Sequence, residues 1–309
     1  MNSVAARNPE TTEPVPAQMV DVCVCTFRRP SVTATLESLA RQRMQPGWQV
    51  RVIVADNDDQ PTARDRVERA FEDFGIDGVY LHAPARNISV ARNACLDAVN
   101  APLAAFLDDD EIARPDWLPT LVARMADGDA DIVFGRVAAT YDPAAPRWLA
   151  AADLHSTEAV FRNGRIDGGY TCNVLFRSAA LAGRRFDPAL GRSGGEDTVF
   201  FSKMYMDGSK AAYAPEAVVE EPVPEGRSSL RWLMRRAFRS GQTWAGVQTL
   251  QGGSRVSLAA SGGLKAAYCA AMALMRFYSP AAWRKSAVRG ALHLGVAAAA
   301  LGRAPLQIY

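Results

Sequence analysis

Two short acidic stretches of the sequence carry residues that could take part in catalysis. In "PLAAFLDDDE", Pro102 to Glu111, an apolar run ends in four consecutive acids, and in "GGED" two glycines precede Glu196 and Asp197. Crowded carboxylates do not all ionise readily unless a cation lies among them. A divalent cation such as Mg²⁺ or Mn²⁺, bound by one or two carboxylates together with substrate phosphates, suits the first stretch. A carboxylate at a second place, such as Asp197, could act as a general base.

Both stretches also have an ordinary structural interpretation. The four acids could form a solvated turn before a helix that begins near Pro115. Gly195 permits a turn, and Glu196 and Asp197 would be favoured by the positive end of a helix dipole. We prefer the catalytic interpretation, because the four acids follow an apolar strand and other predicted strands also end in polar residues.

Strands and helices alternate between residues 20 and 141. Apolar and β-branched runs predict strands at 20–27, 49–57, 78–84, 102–110 and 131–141, and helical patterns start near Ser31, Pro61, Ser89 and Pro115. Ser31 is the predicted N-cap of the first helix. The alternation is typical of an α/β fold whose parallel sheet is covered by helices on both faces. Ligands of such sheets bind at the carboxyl ends of the strands, where these polar residues lie.

The chain becomes less regular after residue 141. Residues 142–170, rich in Gly, Pro and Asp, are predicted to form an irregular loop region that shapes a pocket. A strand at 170–177 and a helix at about 195–207 follow. Residues 228–244 predict a basic amphipathic helix, with three arginines spaced four residues apart on one face. Two alanine-rich runs, about 256–275 and 286–302, are expected to be helices that pack on the body or lie on a membrane.

Positive charge is concentrated at the C-terminal end. The formal net charge is +2, yet residues 227–309 contain twelve Lys or Arg and no Asp or Glu. This end therefore favours an anionic partner, namely a membrane surface, a phosphate-bearing substrate or nucleic acid. Residues 1–19 have neither an apolar core nor a basic amphipathic pattern and are predicted to be a disordered tail. The five cysteines lack disulfide or zinc spacing, which indicates a reducing compartment.

Six segments occur in the order and spacing of a known family. They are "VCTFRRPSVTATLESLARQ", "VIVADN", "NISVARNACLDAV", "FLDDDEIARPDWL", "GGYTCNVLFR" and "FDPALGRSGGEDTVFFSKMYMDG". The set resembles family 2 inverting glycosyltransferases of the GT-A fold, and is similar to the bacterial exopolysaccharide, succinoglycan-type glucosyltransferases, over about residues 21–244. The resemblance implies a Rossmann-like parallel or mixed sheet with helices on both faces. The charge and helical patterns of residues 227–309 add a C-terminal basic helical extension.

The resemblance also implies a domain organisation and a site. The GT-A domain would be 20–226, with a nucleotide-sugar half at 20–115 and an acceptor half at 116–226, and 227–309 would be a basic helical membrane-associating region. Nucleotide-sugar binding is implied for Thr26, Arg28, Asp56, Arg92, Asn93 and Asp108. Asp110, with Asp108, would bind Mn²⁺ or Mg²⁺. Of the catalytic pair Glu196 and Asp197, the aspartate is the better candidate for the base. Candidate contacts to the diphosphate or acceptor are Asn173, Arg236, Arg239, Gln242 and Trp244.

The function implied is transfer of a hexose from a nucleotide diphosphate sugar, with UDP-glucose as the leading candidate, to a growing lipid-linked saccharide. The protein would be cytoplasmic and peripheral at the inner face of the plasma membrane. The alternative from a different class is a catalytically silent saccharide-binding or scaffold protein of a polysaccharide assembly complex. The presence of both Asp110 and Asp197 counts against it.

Other functions fit the sequence less well. A sugar nucleotidyltransferase expects a glycine-rich phosphate loop after the first strand, and a dinucleotide dehydrogenase expects GxGxxG there, but "TFRRPS" contains no glycine. A phosphatase with an aspartate nucleophile would have its DxD after the first strand, not the fourth. The arginine-bearing helix lacks the interleaved aromatics of a stacking platform, so no nucleic-acid partner is predicted.

Overall fold

A computed structural model describes residues 18–162, 165–166, 168–304 and 306. The strands in these residues are β1 (Met19–Thr26), β2 (Gln49–Asp56), β3 (Gly78–His82), β4 (Leu103–Asp108), β5 (Ile112–Ala113), β6 (Ile132–Thr140), β7 (Phe161–Arg162), β8 (Arg165–Ile166), β9 (Asn173–Arg177) and β10 (Ala211–Pro222). The helices are α1 (Val32–Ala40), α2 (Arg64–Phe74), α3 (Ile88–Ala98), α4 (Trp117–Ala126), α5 (Arg147–Ala152), α6 (Glu196–Met206), α7 (Leu230–Leu250), α8 (Arg255–Met275) and α9 (Pro280–Ala300).

One large sheet carries the fold, with strand order β3-β2-β1-β4-β9-β6-β10-β5. Strands β3, β2, β1 and β4 run parallel, whereas β9 is antiparallel to both of its neighbours, β4 and β6. The sheet is therefore mixed and not purely parallel. The antiparallel strand β9 lies between the parallel strands β3-β2-β1-β4 on one side and β6 and β10 on the other.

The central strand β1 shows how the sequence positions the sheet. All eight of its residues are buried, and successive side chains point to opposite faces. On one face Val22 and Val24 pack with α1 and α2 residues such as Leu36. On the other face Cys23 and Cys25 pack with Cys95 of α3. Burying both faces fixes the strand ends, and with them the polar residues that follow.

The predicted strands and the long helices are present, and four details differ. Ser31 is the N-cap residue of α1 as predicted, but its backbone is helical and its side chain makes no cap hydrogen bond. The loop region 142–170 contains α5 and the β7–β8 hairpin. Strand β10 was not predicted, because a bulge between Ala214 and Val218 interrupts its alternation. Helix α9 begins at Pro280, before the predicted start, since proline is well suited to the first turn.

Helices α7, α8 and α9 form a layer in which α9 packs against both of the others. The α7–α9 contact depends on two glycines. A Cβ atom at Gly241 would lie 1.9 Å from the carbonyl oxygen of Leu292, and one at Gly295 would lie 1.9 Å from that of Phe238. Only glycine allows backbones to approach this closely. Residues 1–17 of the predicted tail lie outside the described residues, and a boundary at 226/227 stays a prediction.

Candidate active site

Three parallel strands end in polar residues at one edge of the sheet. Thr26, the last residue of β1, is paired in register with Asp56 at the end of β2. Cys25 of β1 is paired with Asp108 at the end of β4. The fold therefore brings Thr26, Asp56 and Asp108, which are predicted to bind the nucleotide sugar, side by side.

Asp56 is fully buried and organises the loop after β2. Its Oδ2 accepts hydrogen bonds from the Tyr80 hydroxyl at 2.8 Å and the Ala63 backbone N–H at 2.9 Å, and its Oδ1 accepts from the Asp58 N–H at 3.1 Å. Burial, followed by the bond to Asp56, raises the pKa of Tyr80. Each carboxylate oxygen has about two acceptor positions. Oδ1 therefore has one unfilled acceptor position, although Asp56 is fully buried in this structure.

Arg28 lies beside this loop in an ion pair that was not predicted. Its Nε and Nη2 atoms donate to the two carboxylate oxygens of Asp58 at 2.8 and 2.7 Å. This bidentate bond, with a further one from Thr62, holds the pKa of Asp58 well below its ordinary range. Arg28 itself has a left-handed backbone, with φ of 57°. The signal for Asp58 in the sequence is an acid placed two residues after a strand that ends in another acid.

The four acids after β4 have different environments. Glu111 is buried and accepts a hydrogen bond from the Asp108 N–H at 3.1 Å, so it closes the turn. Burial raises the pKa of Glu111 well above its ordinary value. Asp109 is also buried and accepts from Arg29 Nη1 at 2.9 Å. Although 42% of the Asp108 side chain is exposed, loss of hydration in the cleft raises its pKa to about 7, partly opposed by Arg92.

Asp110 is held by two arginines. Arg29 Nη1 lies 2.6 Å from its Oδ2, and Arg227 Nη1 lies 3.6 Å from the same oxygen. Arg227 also pairs with Glu221 of β10 at 3.1 Å. Burial and the neighbouring Asp110 raise the pKa of Glu221. The sequence did not single out Glu221 or assign a role to Arg227, because β10 was missed and both reach Asp110 only through the fold.

Arg92 connects the acids after β4 to the acids of α6. Its guanidinium is buried, lies 3.8 Å from Asp108 and forms an ion pair with Glu196. Burial lowers the pKa of Arg92, but Glu196, Asp108 and Asp197 together raise it above its ordinary value. The two acidic groups that the sequence indicated therefore share one buried cation.

Asp197 differs from its neighbour Glu196. It is the second residue of α6, which begins at Glu196 after Gly195, whose φ is +95°. Its Oδ1 accepts hydrogen bonds from the Thr198 N–H at 2.6 Å and the Thr198 hydroxyl at 3.2 Å. In the part of the chain that the structure describes, Asp197 has no ion pair, whereas Glu196 is paired with Arg92. Burial and the charge of Glu196 raise the pKa of Asp197. A carboxylate with a raised pKa accepts a proton more readily than an ordinary carboxylate does.

Two residues predicted to bind substrate, Asn93 and Asn173, instead hydrogen-bond to other parts of the protein. Asn93 binds the backbone of Phe186 through both ends of its amide, at 2.8 and 2.9 Å. Asn173 accepts from Trp117 Nε1 at 2.8 Å and donates to the Arg136 and Ala217 carbonyls at 2.9 Å. Asn93 thus joins α3 to the segment before α6, and Asn173 holds the β6–β9–β10 region together.

The candidate contacts on α7 face different surroundings. Arg239 donates to the Ser193 carbonyl at 3.2 Å, in the loop that leads to Asp197. Arg236 lies over the Trp232 ring at 5.5 Å and is close enough to Glu221 to lower its pKa. Gln242 binds the backbone of Ala304 and Leu306 at 2.9 and 2.8 Å. Trp244 packs against the buried cluster shared by α7, α8 and α9. Arg236 and Arg239 therefore lie towards the site, and the other two residues towards the C-terminal helices.

Asp108 and Asp110 fit a divalent cation that is shared with a ligand. Among the described residues no group of three or more His, Cys, Asp or Glu side chains could hold a metal ion unaided. The pKa of Asp108 is raised mainly by burial and to a smaller extent by the neighbouring Asp110 and Asp109, against the opposing effect of Arg92. Carboxylates completed by phosphate oxygens are the ligands that Mg²⁺ takes up in nucleotide sites.

Known proteins share this sequence and this architecture. A sequence model described as "Glycosyl transferase family 2" matches residues 21–189. The chain is 45% identical over 294 residues to the succinoglycan biosynthesis protein ExoM of Rhizobium meliloti, which covers 94% of this chain and 95% of that protein. It is 30% identical over 243 residues to the glucosyl-dolichyl phosphate glucuronosyltransferase of Haloferax volcanii, covering 72% of this chain and 75% of that protein.

A solved structure has the same fold. The mannosyltransferase PcManGT of Pyrobaculum calidifontis, in complex with GDP-Man and Mn²⁺, superposes with a TM-score of 0.61 at 20% identity. The match covers 96% of this chain and 91% of that chain. It extends over the C-terminal helices as well as the sheet, and it confirms the predicted α/β GT-A fold.

Proposed function

Because this chain belongs to glycosyl transferase family 2, we propose that it is a metal-dependent, inverting hexosyltransferase. The donor is a nucleoside diphosphate sugar, with UDP-glucose as the first candidate, and the acceptor is a growing lipid-linked saccharide of a surface polysaccharide. The name of the succinoglycan biosynthesis relative supports the polysaccharide class. The name of the second relative, which acts on a glucosyl-dolichyl phosphate, supports an acceptor carried on a lipid phosphate.

The position of Arg92 is the observation that carries this proposal. Arg92 is in contact with Asp108 at the end of β4 and with Glu196 at the start of α6. A glycosyl transfer needs a place for the leaving diphosphate next to a place for the attacking hydroxyl. One buried arginine that reaches both acidic groups supports the placement of these two functions in a single cleft.

The donor would bind along the carboxyl edge of the sheet. Asp56, at the end of β2 beside Thr26, would contact the nucleoside, and Arg28 lies against the loop that follows β2. Asp108 and Asp110 would hold the divalent cation, which when bound neutralises the diphosphate as it departs. Arg29 and Arg227 flank Asp110 and are positioned to bind phosphate oxygens. The Mn²⁺ and GDP-Man in the structure of the archaeal mannosyltransferase are consistent with this arrangement.

Asp197 would act as the base in one displacement step. The acceptor oxygen forms a bond to the anomeric carbon while the bond from that carbon to the diphosphate breaks, so the configuration inverts. The proton of the acceptor hydroxyl passes to the Asp197 carboxylate. Glu196, held by Arg92, is a positioning residue for the start of α6. We place the protein at the cytoplasmic face of the plasma membrane, where a lipid-linked acceptor would be found.

The test is transfer of labelled sugar. Purified protein is incubated with labelled UDP-, GDP- and TDP-sugars, Mn²⁺ or Mg²⁺ and a bacterial lipid extract, and label in the organic phase is counted. We expect one donor to be used in a metal-dependent way. Asp197→Asn should lower turnover by about 10²–10⁴-fold while donor binding is retained. The matched control is Asp97→Asn, which removes a surface carboxylate paired with Arg185 and should leave turnover unchanged.

The contrary result is equally definite. If the protein binds a nucleotide but consumes no donor with any extract, the saccharide-binding scaffold is the better interpretation. Equal turnover of Asp197→Asn and Asp97→Asn would remove Asp197 from the role of base.

A further inference from the structure

Helix α8 is buried along one face only. Its inner face, marked by Leu258, Gly262, Ala266 and Cys269, packs against α9. On the opposite side, the largest side chains have exposed fractions between 65 and 79%, and they are Val256, Leu264, Tyr268, Leu274 and Met275. With about 3.6 residues per turn these five form one stripe, which we name the outer apolar face.

The segment between α8 and α9 continues this stripe. Phe277 and Tyr278 are 77 and 76% exposed and pack edge to face on each other. Soluble monomers rarely leave a contiguous apolar surface of this kind uncovered. We therefore expect the outer apolar face to be covered, either by a lipid bilayer or by another protein surface.

The charges around the outer apolar face favour a lipid bilayer as the surface that covers it. Residues 227–309 contain twelve Lys or Arg and no Asp or Glu. Lys265 of α8 and Arg289 of α9 are both close enough to His293 to lower its pKa, with burial as the main cause. Arg276 is exposed at the end of α8. An apolar stripe flanked by cations and free of acids complements an anionic lipid surface.

Helix α8 is long and apolar enough to span a bilayer. Within the described residues it is the single helix that passes this test, with a mean hydropathy of 1.3 over its most apolar window, of which 17% is buried. Its packing argues against a span. A Cβ atom at Gly262 would lie 3.0 Å from backbone atoms of Ala297 and His293, and Gly290 of α9 lies against Cys269. The two helices are thus in close contact over several turns.

A spanning α8 would have to take α9 with it. Helix α9 carries Arg284, Lys285 and Arg289, and charged residues within the hydrocarbon layer are strongly disfavoured. Helix α9 is also joined to α7 through the close approaches at Gly241 and Gly295. Both observations favour an α8 that remains on one side of the membrane.

We propose that α8 lies in the plane of an anionic bilayer, with the outer apolar face and the Phe277–Tyr278 corner inserted among the lipid headgroups and upper acyl chains. The flanking lysine and arginines contact the phosphates. If the proposed function holds, on which this part of the inference rests, the membrane contact brings the cleft to a lipid-linked acceptor. The contact itself needs neither donor nor acceptor.

Vesicle binding by the full chain tests the surface. Co-sedimentation is measured with vesicles of phosphatidylcholine alone and of phosphatidylcholine with phosphatidylglycerol, at low and high salt. We expect binding to the anionic vesicles that weakens with salt. Leu264→Asp, at a side chain that is 75% exposed, should weaken binding at least tenfold. Met206→Asp on α6, at a side chain that is 63% exposed, is the matched control and should bind as the natural chain does.

Depth measurements test the orientation. A fluorophore is attached in turn to Val256→Cys, Leu264→Cys and Met275→Cys, and quenching by lipids that carry spin labels at different depths is compared. An in-plane helix places all three positions at the same shallow depth. A spanning helix places the middle position deepest and the two ends at opposite headgroup layers, a result that would overturn the proposal.

Two further outcomes would also overturn it. Absence of binding to anionic vesicles by a folded chain would exclude a lipid surface. If the chain is dimeric without lipid and Leu264→Asp makes it monomeric, a second copy covers the face. Failure of the proposed function is distinguishable from failure of this inference. Vesicle binding without sugar transfer would contradict the proposed function and support the membrane contact. Sugar transfer to a detergent-dispersed acceptor without vesicle binding would support the proposed function and contradict the membrane contact.

Discussion

Arg29 and Asp110 form an ion pair in which Nη1 lies 2.6 Å from Oδ2. The same Arg29 atom lies 2.9 Å from Asp109, so one guanidinium balances two carboxylates of the acidic turn. A divalent cation bound by Asp110 would compete with Arg29 for the same oxygen. The arginine and the metal are therefore alternative counter-charges, and donor phosphate would be the new partner of the displaced arginine.

This competition predicts the effect of Arg29→Gln on metal binding. Without the arginine, Mn²⁺ should bind more tightly in the absence of nucleotide, by about tenfold or less, because a half-exposed ion pair contributes on the order of 1 kcal/mol. Free Mn²⁺ is measured by electron paramagnetic resonance during titration. The control is Arg41→Gln, which removes an exposed pair with Glu37 on α1. Weaker Mn²⁺ binding by Arg29→Gln alone would contradict the competition.

The raised pKa of Asp108 leads us to expect that the stability of the protein depends on pH. Its pKa is about 7 in the folded protein, against about 3.9 in an unfolded chain. The folded state binds the extra proton between these values, so its contribution to stability falls as pH rises from about 4 to about 7 and stays low above that. Asp108→Asn should therefore raise the melting temperature at pH 8 by about 1–3 °C and have little effect near pH 4.

Excess Mn²⁺ supplies the internal check for Asp108. At pH 8 the cation should raise the melting temperature of the natural chain and have a smaller effect on Asp108→Asn, because the variant lacks one metal ligand. Calorimetry at both pH values measures this. Equal stabilisation of both proteins by Mn²⁺ would mean that Asp108 is not a ligand.

The adjacent acids Glu196 and Asp197 should separate stability from turnover. Glu196→Ala leaves the buried Arg92 without its main partner, and breaking a buried pair costs about 3–5 kcal/mol of unfolding free energy. Asp197→Asn removes a buried carboxylate whose pKa the fold raises, so it should not lower the unfolding free energy at neutral pH, but it should lose sugar transfer. Urea unfolding and the labelled transfer assay are run on both variants. Similar losses of stability in the two would contradict the different roles.

Two glycines of α7, of which only Gly241 lies in the α7–α9 contact, allow a matched pair of variants. Gly241→Ala would place a Cβ atom 1.9 Å from the Leu292 carbonyl oxygen and force the helices apart. Overpacking of this kind typically costs about 1–3 kcal/mol. Gly246→Ala, on the same helix, meets open space and should stabilise by about 0.5–1 kcal/mol through helix propensity. Thermal and urea unfolding measure both, and a neutral Gly241→Ala would show that the backbones can separate freely.

The strands and the family could be predicted from local sequence. Apolar runs that end in acids at Asp56 and Asp108 predicted both the strands and the edge at which they end, and the predicted family and fold are confirmed. The antiparallel position of β9 between β4 and β6 could not be predicted, because strand order depends on long-range packing.

The countercharges of the site were less accessible to sequence analysis. Arg227 and Asp110 are 117 positions apart in the sequence and meet only because β10 returns Glu221 to the acidic turn. The orientation of Glu111 was likewise not predictable. Its carboxylate accepts a hydrogen bond from the Asp108 N–H and so points away from the cleft. Residue type indicated that the acids were there, and the fold decided which of them is open to a ligand.

The close approach of α7 and α9 also limits how the protein can reach its substrate. Each helix presents a glycine to a carbonyl of the other, so the pair cannot slide by a turn without a clash. Arg239 of α7 is in turn bonded to Ser193, in the loop before Asp197. The loop before Asp197 is therefore joined through α7 to α9. If Asp197 is the base and α8 lies on a membrane, as proposed, this connection holds the base at a fixed height above the lipid. The flexibility that brings a lipid-linked saccharide to the base would then come from the saccharide and its lipid.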